Sequence, residues 1–518
     1  MMNGKRTEKV GVIIGLFLTL FTFFLFTQSA FAAVPEPQYG GTILITDANE
    51  EANIGYPPKM FRPLQMRQGA PAIESLLRTD KTGKLLPWLA TNFKEDAKAK
   101  TIALTLRKGV KFHDGTDFNA EAVKWNLEQH IAEKAAGTDK IKSINVVDPY
   151  TVGITLVTWD SAFLSNLAQF TGVMISPAAF KKNGGDWCAG NPVGTGPFQF
   201  VSRQLNTRLT YKKFDGYWQK GKPYLDKIEF VPITDPMTRE FSLRKGEVDL
   251  IVTTSAKNLK ALGKDGFVVL KSLQPAGARS IAFDSANPKS PFADVRVRQA
   301  SQHAVDTKAL VDNIFYGEFE PANQQVYKGN WAHNPAVVGY PYNPAKAKQL
   351  LAAAGYPTGF KTRLTYYTNP ENDQVYTAVQ SYLKEVGIEV ELEPVQLGKW
   401  TQIANGGKWE GMLVGTNTNI DILAMVDQIY SGSGKYVNLL TPPDYLKAIQ
   451  DGLAAPDFKT KQERTQELMK LMTDKHCLLL TLYVVSEMGA AKPYLHDHGI
   501  LAGGNNAIWT PEDAWRDK

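Results

Sequence analysis

The chain has 518 residues, 43% hydrophobic and 21% charged, the balance of a globular protein with material for more than one core. A length of this order predicts about two to four domains. The formal charge of +6 includes a basic leader and is otherwise scattered, with no basic stripe interleaved with aromatics, which argues against a nucleic-acid partner.

The leader is the first predicted element. Lys5, Arg6 and Lys9 precede the uncharged run GVIIGLFLTLFTFFLF, and Ala30, Phe31 and Ala32 form a small-x-small cleavage pattern. A signal peptide over 1–32, cleaved after Ala32, is therefore expected, with an uncleaved anchor as the alternative because the run is nearly long enough to cross a bilayer. No cysteine follows it to carry a lipid, and no comparable apolar window recurs. The expected location is the periplasm or the extracellular space.

Residues 40–48, GGTILITDA, alternate as a strand, and so do TIALTLRKGVKF and YTVGITLVTW further on. Between the last two, FNAEAVKWNLEQHIAEK reads as a helix, with Asn119 as its cap, Glu121 in its first turn and Val123, Leu127 and Ile131 on one apolar stripe. The segment LRKGVKFHDGT (106–116) sets a histidine beside a carboxylate, a pattern that suits a metal half-site or a general base. Here Val110 and Phe112 close a strand and Asp114 and Gly115 supply a turn before the helix, so adjacent His113 and Asp114 point apart. With no third ligand or nucleophile at useful spacing, the pair reads as architecture.

In NPVGTGPFQF (191–200) the glycines do not make a phosphate loop, which needs a Gly-Lys-Ser/Thr end and an amide that Pro197 lacks. Cys188 in a glycine-rich loop and Cys477 opening the apolar strand CLLLTLYVV read as buried, inert thiols, although an exported chain permits a disulfide. From about residue 276, strands and helices alternate. Asp306 caps TKALVDNIFYG, whose Leu310, Val311, Ile314 and Phe315 face one way before Gly317. Asn343 and Pro344 open NPAKAKQLLAAAGYP, with Ala347, Leu350, Leu351 and Ala354 inward. QVYTAVQSYLKEVG buries Val375, Val379 and Leu383, then runs into the strand IEVELEP. This alternation predicts an α/β layer.

Several stretches together resemble the extracellular solute-binding proteins of bacterial ABC importers that serve oligopeptides, dipeptides and nickel. They are GKLLPWLATNF (83–93), LRKGVKFHDGTDFNAEAVKWNLE (106–128), NPVGTGPFQF (191–200), YW followed by GKPYLDKIEF (217–230), FADVRVRQASQHAVDTKALVDNIFYG (292–317) and YNPAKAKQLLAAAGYP (342–357). The resemblance implies an α/β bilobal clamshell of the periplasmic-binding-protein kind, with an extra α/β domain inserted in the first lobe. On this sequence lobe I would be 34–75, 190–275 and 490–518, the extra domain 76–189 and lobe II 276–489. It further implies a binding subunit rather than an enzyme, with no cofactor or metal, a monomer whose partners are a solute and the permease and ATPase subunits of an importer. A peptide or peptide-like solute is expected; a sugar, opine or metal chelate on the same scaffold, or a ligand-sensing role beside a chemoreceptor, is the alternative.

In the peptide-binding relatives a lobe II strand ends in Gly-Trp-x-x-Asp, whose Asp pairs with the ligand's ammonium. The corresponding run here is MLVGTNTNIDILAM (412–425), where Gly415 fits, Thr416 replaces the Trp and Asn419 replaces the Asp. Asn419 is a poorer partner for an amine. Asp421 restores the charge if the loop is shifted, whereas Asn417 and Asn419 alternatively cap their own backbone in a turn. Arg67 is a candidate for a solute carboxylate, with a surface salt bridge as its plainer role. Trp331, Tyr366, Tyr367 and Trp400 are candidates for lining an amphipathic cleft, with core packing as theirs.

Overall fold

The computed structural model describes residues 36–252, 255–415, 421–432, 434–502, 509 and 511–518. Among these, three sheets of four or more strands organise the chain. The first has seven strands in the order Phe198–Gln204, Arg208–Lys213, Lys227–Phe230, Thr42–Thr46, Leu250–Val252, Met488–Ala491 and Val268–Lys271. The second has six, in the order Glu320–Pro321, Leu479–Val484, Ala278–Phe283, Met412–Val414, Phe360–Tyr367 and Ile388–Val395. These are the cores of two lobes. A third, four-stranded antiparallel sheet (Ala90–Asp96, Thr101–Leu106, Thr151–Leu156, Ile141–Asp148) carries the helix Ala120–Ala132 and forms the extra domain.

Strand direction decides which edges of the lobes meet. In the first lobe Thr42–Thr46 runs parallel to both its neighbours, and Met488–Ala491 runs against Leu250–Val252 and Val268–Lys271. Val268–Lys271 therefore ends, and Met488–Ala491 begins, at the carboxyl edge of the parallel strands. In the second lobe Phe360–Tyr367 runs parallel to Ile388–Val395 and Met412–Val414, while Ala278–Phe283 runs against Met412–Val414 and against Leu479–Val484. Ala278 thus starts, and Val484 ends, at that lobe's carboxyl edge. The two segments that cross between the lobes, 272–277 and 485–487, join carboxyl edge to carboxyl edge. Those two edges face each other across a cleft, the position where open α/β sheets bind ligands.

The local signals hold where they are local. Asn119 accepts from Ala122 N, Asp306 from Ala309 N and Asn343 from Lys346 N, each satisfying an amide of a first helical turn. Val375, Val379 and Leu383 are buried on the helix Pro370–Glu385. Three expectations are corrected. Ile131 is 39% exposed, because the helix lays Val123 and Leu127 on the sheet and turns Ile131 past its rim. Val110 and Phe112 are buried outside the strand, which stops at Leu106 before Gly109 adopts a positive φ of 76°. Cys477, with a positive φ of 44°, stands before the strand Leu479–Val484 rather than in it. Both cysteines are buried and free.

His113 and Asp114 diverge as adjacent residues of a turn should. Asp114 Oδ1 accepts from the Thr116 amide and hydroxyl, and its other oxygen accepts from Ser176 Oγ. His113 Nε2 lies 2.9 Å from the Gly196 carbonyl and its amide donates to the Gly194 carbonyl, docking the extra domain on the GTGP turn. That turn needs its glycines for close approach: a Cβ at Gly194 would stand 2.3 Å from the Ala72 carbonyl oxygen, and one at Gly196 2.6 Å from that of Pro71.

Candidate functional site

On the first lobe's side of the cleft, Asp47 follows the strand Thr42–Thr46 and Glu487 lies on the returning crossing segment. Between them is Arg67, from the helix Pro63–Gly69. Arg67 Nη1 donates to Asp47 Oδ2 and Nη2 to Glu487, each at 2.7 Å, and the Arg67 carbonyl accepts from Trp509 Nε1. Arg67 is 8% exposed, so the surface salt bridge expected for it is instead a buried triad, and its guanidinium is committed to two carboxylates. Burial holds the Asp47 carboxyl above its ordinary value, and Arg67 opposes that shift. Glu487 keeps 23% of its side chain open.

Arg279 enters the second lobe at the end of the outgoing crossing segment, and Tyr483, its partner in the adjacent strand, stands where the chain leaves again. The Arg279 guanidinium lies 5.9 Å from the centre of the Tyr367 ring. Burial disfavours its charge, but the oxygens of Tyr376, Tyr367 and Tyr483 outweigh that and raise its pKa, so it stays protonated. No carboxylate among the described residues lies within ion-pair distance of it. Glu371, at the start of the helix Pro370–Glu385, is open to solvent yet sufficiently enclosed that desolvation raises its carboxyl, with Arg279 pulling the other way at longer range. Arg279 Nε and the Tyr376 hydroxyl are buried with no hydrogen-bond partner among the described residues, and the buried Tyr483 hydroxyl, within reach of the Arg279 guanidinium, finds no acceptor there for its own proton.

The aromatic candidates divide. Tyr367 packs edge-on against Trp400 at 5.1 Å, at the carboxyl edge. Trp400 Nε1 and Tyr436 Oη both donate to the Val414 carbonyl, fixing the end of the strand Met412–Val414 just before Thr416. Tyr366 is buried in the lobe core against Tyr376, and desolvation pushes its phenol up to about 12. Asn417 and Asn419 lie outside the described residues.

Asp421 and Trp331 belong to a different place, the seam between the second lobe and the extra domain. Asp421 caps the turn Ile422–Met425, accepting from Leu423 N and Ala424 N, and its carboxylate also takes Ser165 Oγ and the buried Lys461 ammonium. The expectation that Asp421 supplies a free charge for a solute amine is therefore corrected: two amides, a hydroxyl and an ammonium already occupy it. The Trp331 ring packs on Phe458, with Lys461 Nζ 5.2 Å from its centre and its amide donating to the Thr82 carbonyl. With Phe93, Trp159 and Leu164 these residues enclose a cavity of about 210 Å³ in the seam.

Arg279, Tyr376 and Tyr483 escaped the sequence reading. The one local sign was an arginine opening the otherwise uncharged strand ARSIAF.

Residues 84–451 match the Bacterial extracellular solute-binding proteins, family 5 Middle. The chain is similar to the glutathione-binding protein GsiB of Salmonella choleraesuis (strain SC-B67), 36% identical over 337 residues that make up 63% of this chain and 64% of that protein. The chain thus spans less than two thirds of that relative's length. Its fold is similar to that of DppA of Helicobacter pylori in complex with the peptide STSA, at 22% identity, a TM-score of 0.74, and coverage of 93% of this chain and 99% of that one. It is likewise similar to AgaA of A. tumefacien R10 in complex with agropinic acid, at 25% identity and a TM-score of 0.73, over 92% and 99% of the two chains.

Proposed function

The chain belongs to the bacterial extracellular solute-binding proteins of family 5, and from that premise we propose that it is the substrate-binding subunit of an ABC importer, taking a peptide or peptide-like solute between its lobes. Contacts from both lobes to one solute favour the closed arrangement over the open one, and a membrane permease with its ATPase subunits receives the closed form. Export beyond the cytoplasmic membrane, with the leader removed after Ala32, belongs to the same reading. So does action as a monomer.

The observation that carries the peptide-like reading is the charge across the cleft. On the first lobe Asp47 and Glu487 share the single guanidinium of Arg67, and Glu487 is partly open; on the second lobe Arg279 has no carboxylate at ion-pair distance among the described residues. A solute with an ammonium toward the first lobe and an anionic group toward the second complements both. Because the ammonium-binding Asp of the peptide-binding pattern is Asn419 here, an acidic solute other than a linear peptide, such as an opine, is the second reading.

Mass spectrometry of small molecules released on denaturing the exported protein tests the proposal. A peptide or amino-acid conjugate released in near-stoichiometric amount supports it. A released sugar or a neutral lipid contradicts it.

A further inference from the structure

Resting on the capture reading, we propose that Arg279, Tyr376 and Tyr483 form an oxyanion subsite on the second lobe, which binds a carboxylate of the solute and makes an ionised acid a requirement for tight binding. Three donors of this lobe, the Nε of Arg279 and the hydroxyls of Tyr376 and Tyr483, are buried without an acceptor among the described residues. Leaving buried donors unsatisfied is costly, and a native structure tolerates several together where something that binds there satisfies them. Arginine has donors only, and a tyrosine hydroxyl facing a guanidinium is turned to donate elsewhere, so the missing partner is an acceptor. Its charge follows from the surroundings. The guanidinium is half-buried under Tyr367, and among the described residues no carboxylate lies at ion-pair distance, Glu371 being coupled to it at longer range. A planar carboxylate suits the fork of a guanidinium and accepts from flanking hydroxyls, making charge-assisted bonds that a neutral amide or ester lacks.

The rings of Tyr376 and Tyr483 belong to the core of the second lobe. Tyr376 and Tyr483 have their rings fixed, Tyr376 against Tyr366 at 4.8 Å and Tyr483 against Phe315 at 4.7 Å and Phe319 at 5.6 Å, so their hydroxyls are held in place. Arg279 follows one crossing segment and Tyr483 precedes the other, so lobe closure about those segments would remove water beside them, which strengthens a charged hydrogen bond.

Calorimetry on the exported full chain with matched probes tests this: tri-alanine against tri-alanine amide, and glutathione against its diethyl ester. Wild type is expected to bind the free acid of at least one pair about tenfold or more tighter than its blocked form. In Arg279→Gln the two forms should bind within about threefold of each other, whereas Arg279→Lys keeps part of the preference. Tyr376→Phe and Tyr483→Phe, which remove only a hydroxyl and so preserve the packing, should each weaken the acid about threefold to tenfold and leave the blocked form unchanged. Equal binding of acid and blocked form by wild type, or an acid preference that survives Arg279→Gln in a folded protein, overturns the subsite while leaving solute capture standing. If no probe binds wild type, the solute released on denaturation decides: an acid present in wild type and absent from Arg279→Gln supports the subsite, and a solute without an acidic group overturns it. A wild-type protein that binds no probe and releases no solute overturns the capture reading itself.

Discussion

The Ser165 hydroxyl of the extra domain donates to Asp421 Oδ2 of the second lobe at 2.8 Å, and Lys461 pairs with the same oxygen. Asp421 is 2% and Lys461 5% exposed, so the pair is buried and its value to the fold depends on both partners being present. Asp421→Asn keeps an acceptor for the amides of Leu423 and Ala424 but leaves the ammonium without a counter-charge. The expected loss of stability is about 3 to 5 kcal/mol, read from urea denaturation, with solute affinity of the folded fraction unchanged. Lost binding at an unchanged denaturation midpoint would return Asp421 to the solute.

Arg67→Met leaves Asp47 and Glu487 facing each other without their shared guanidinium. The expected cost is about 3 to 5 kcal/mol at pH 7 in chemical denaturation. The deficit should shrink on acidification, since protonating either carboxylate removes the uncompensated charge. A variant as stable as wild type at pH 7 would show that the triad carries no such coupling.

His113 gives the fold an acid limit. Its burial lowers the imidazole pKa to about 4, against an unfolded value near 6.5. Between those values the unfolded chain binds a proton that the native chain does not, so stability is full above about pH 6.5 and falls with pH until about 4, by on the order of 3 kcal/mol. His130, lowered to about 3, and His498, lowered to about 4, act in the same sense. His113→Gln keeps a donor for the Gly196 carbonyl and should lose less stability than wild type between pH 7 and pH 4, with solute affinity at pH 7 unchanged. Parallel pH profiles for the two proteins would contradict the assignment.

Tyr376→Phe should move stability and affinity in opposite directions. Its hydroxyl has no partner among the described residues, so deleting it stabilises the protein by up to about 1 kcal/mol in thermal denaturation without added solute. Affinity for an acidic solute should fall. A variant that loses stability instead would mean that this hydroxyl already has a partner.

The parts legible in the sequence are those decided within a turn or two of chain. Asn119, Asp306 and Asn343 cap where their spacing to the next apolar residue predicts, and the parallel unit 360–395 follows from a helix and two strands of the right length. The site was legible only in outline. Tyr367 and Trp400 do meet at the carboxyl edge, but the partners of Asp421 lie 40 and 256 residues away. Arg279 gains its meaning from Tyr483, its partner in the adjacent antiparallel strand far along the chain, and from Tyr376 on the helix Pro370–Glu385. No periodicity in ARSIAF carries that information. Asn417 and Asn419, the positions expected to bear on peptide specificity, lie outside the described residues.

The claim that a solute is held between the lobes is tested most directly by the distance across the cleft. Spin labels on Leu205→Cys of the first lobe and Leu397→Cys of the second, both exposed positions in a chain whose native cysteines are buried, report that distance by pulsed electron resonance. Adding the solute recovered from the purified protein to solute-stripped protein should collapse the distance distribution to one narrow, altered population, and Arg279→Gln should need a higher solute concentration for the same change. A distribution that stays unchanged at a concentration where calorimetry shows saturation would contradict capture by lobe closure.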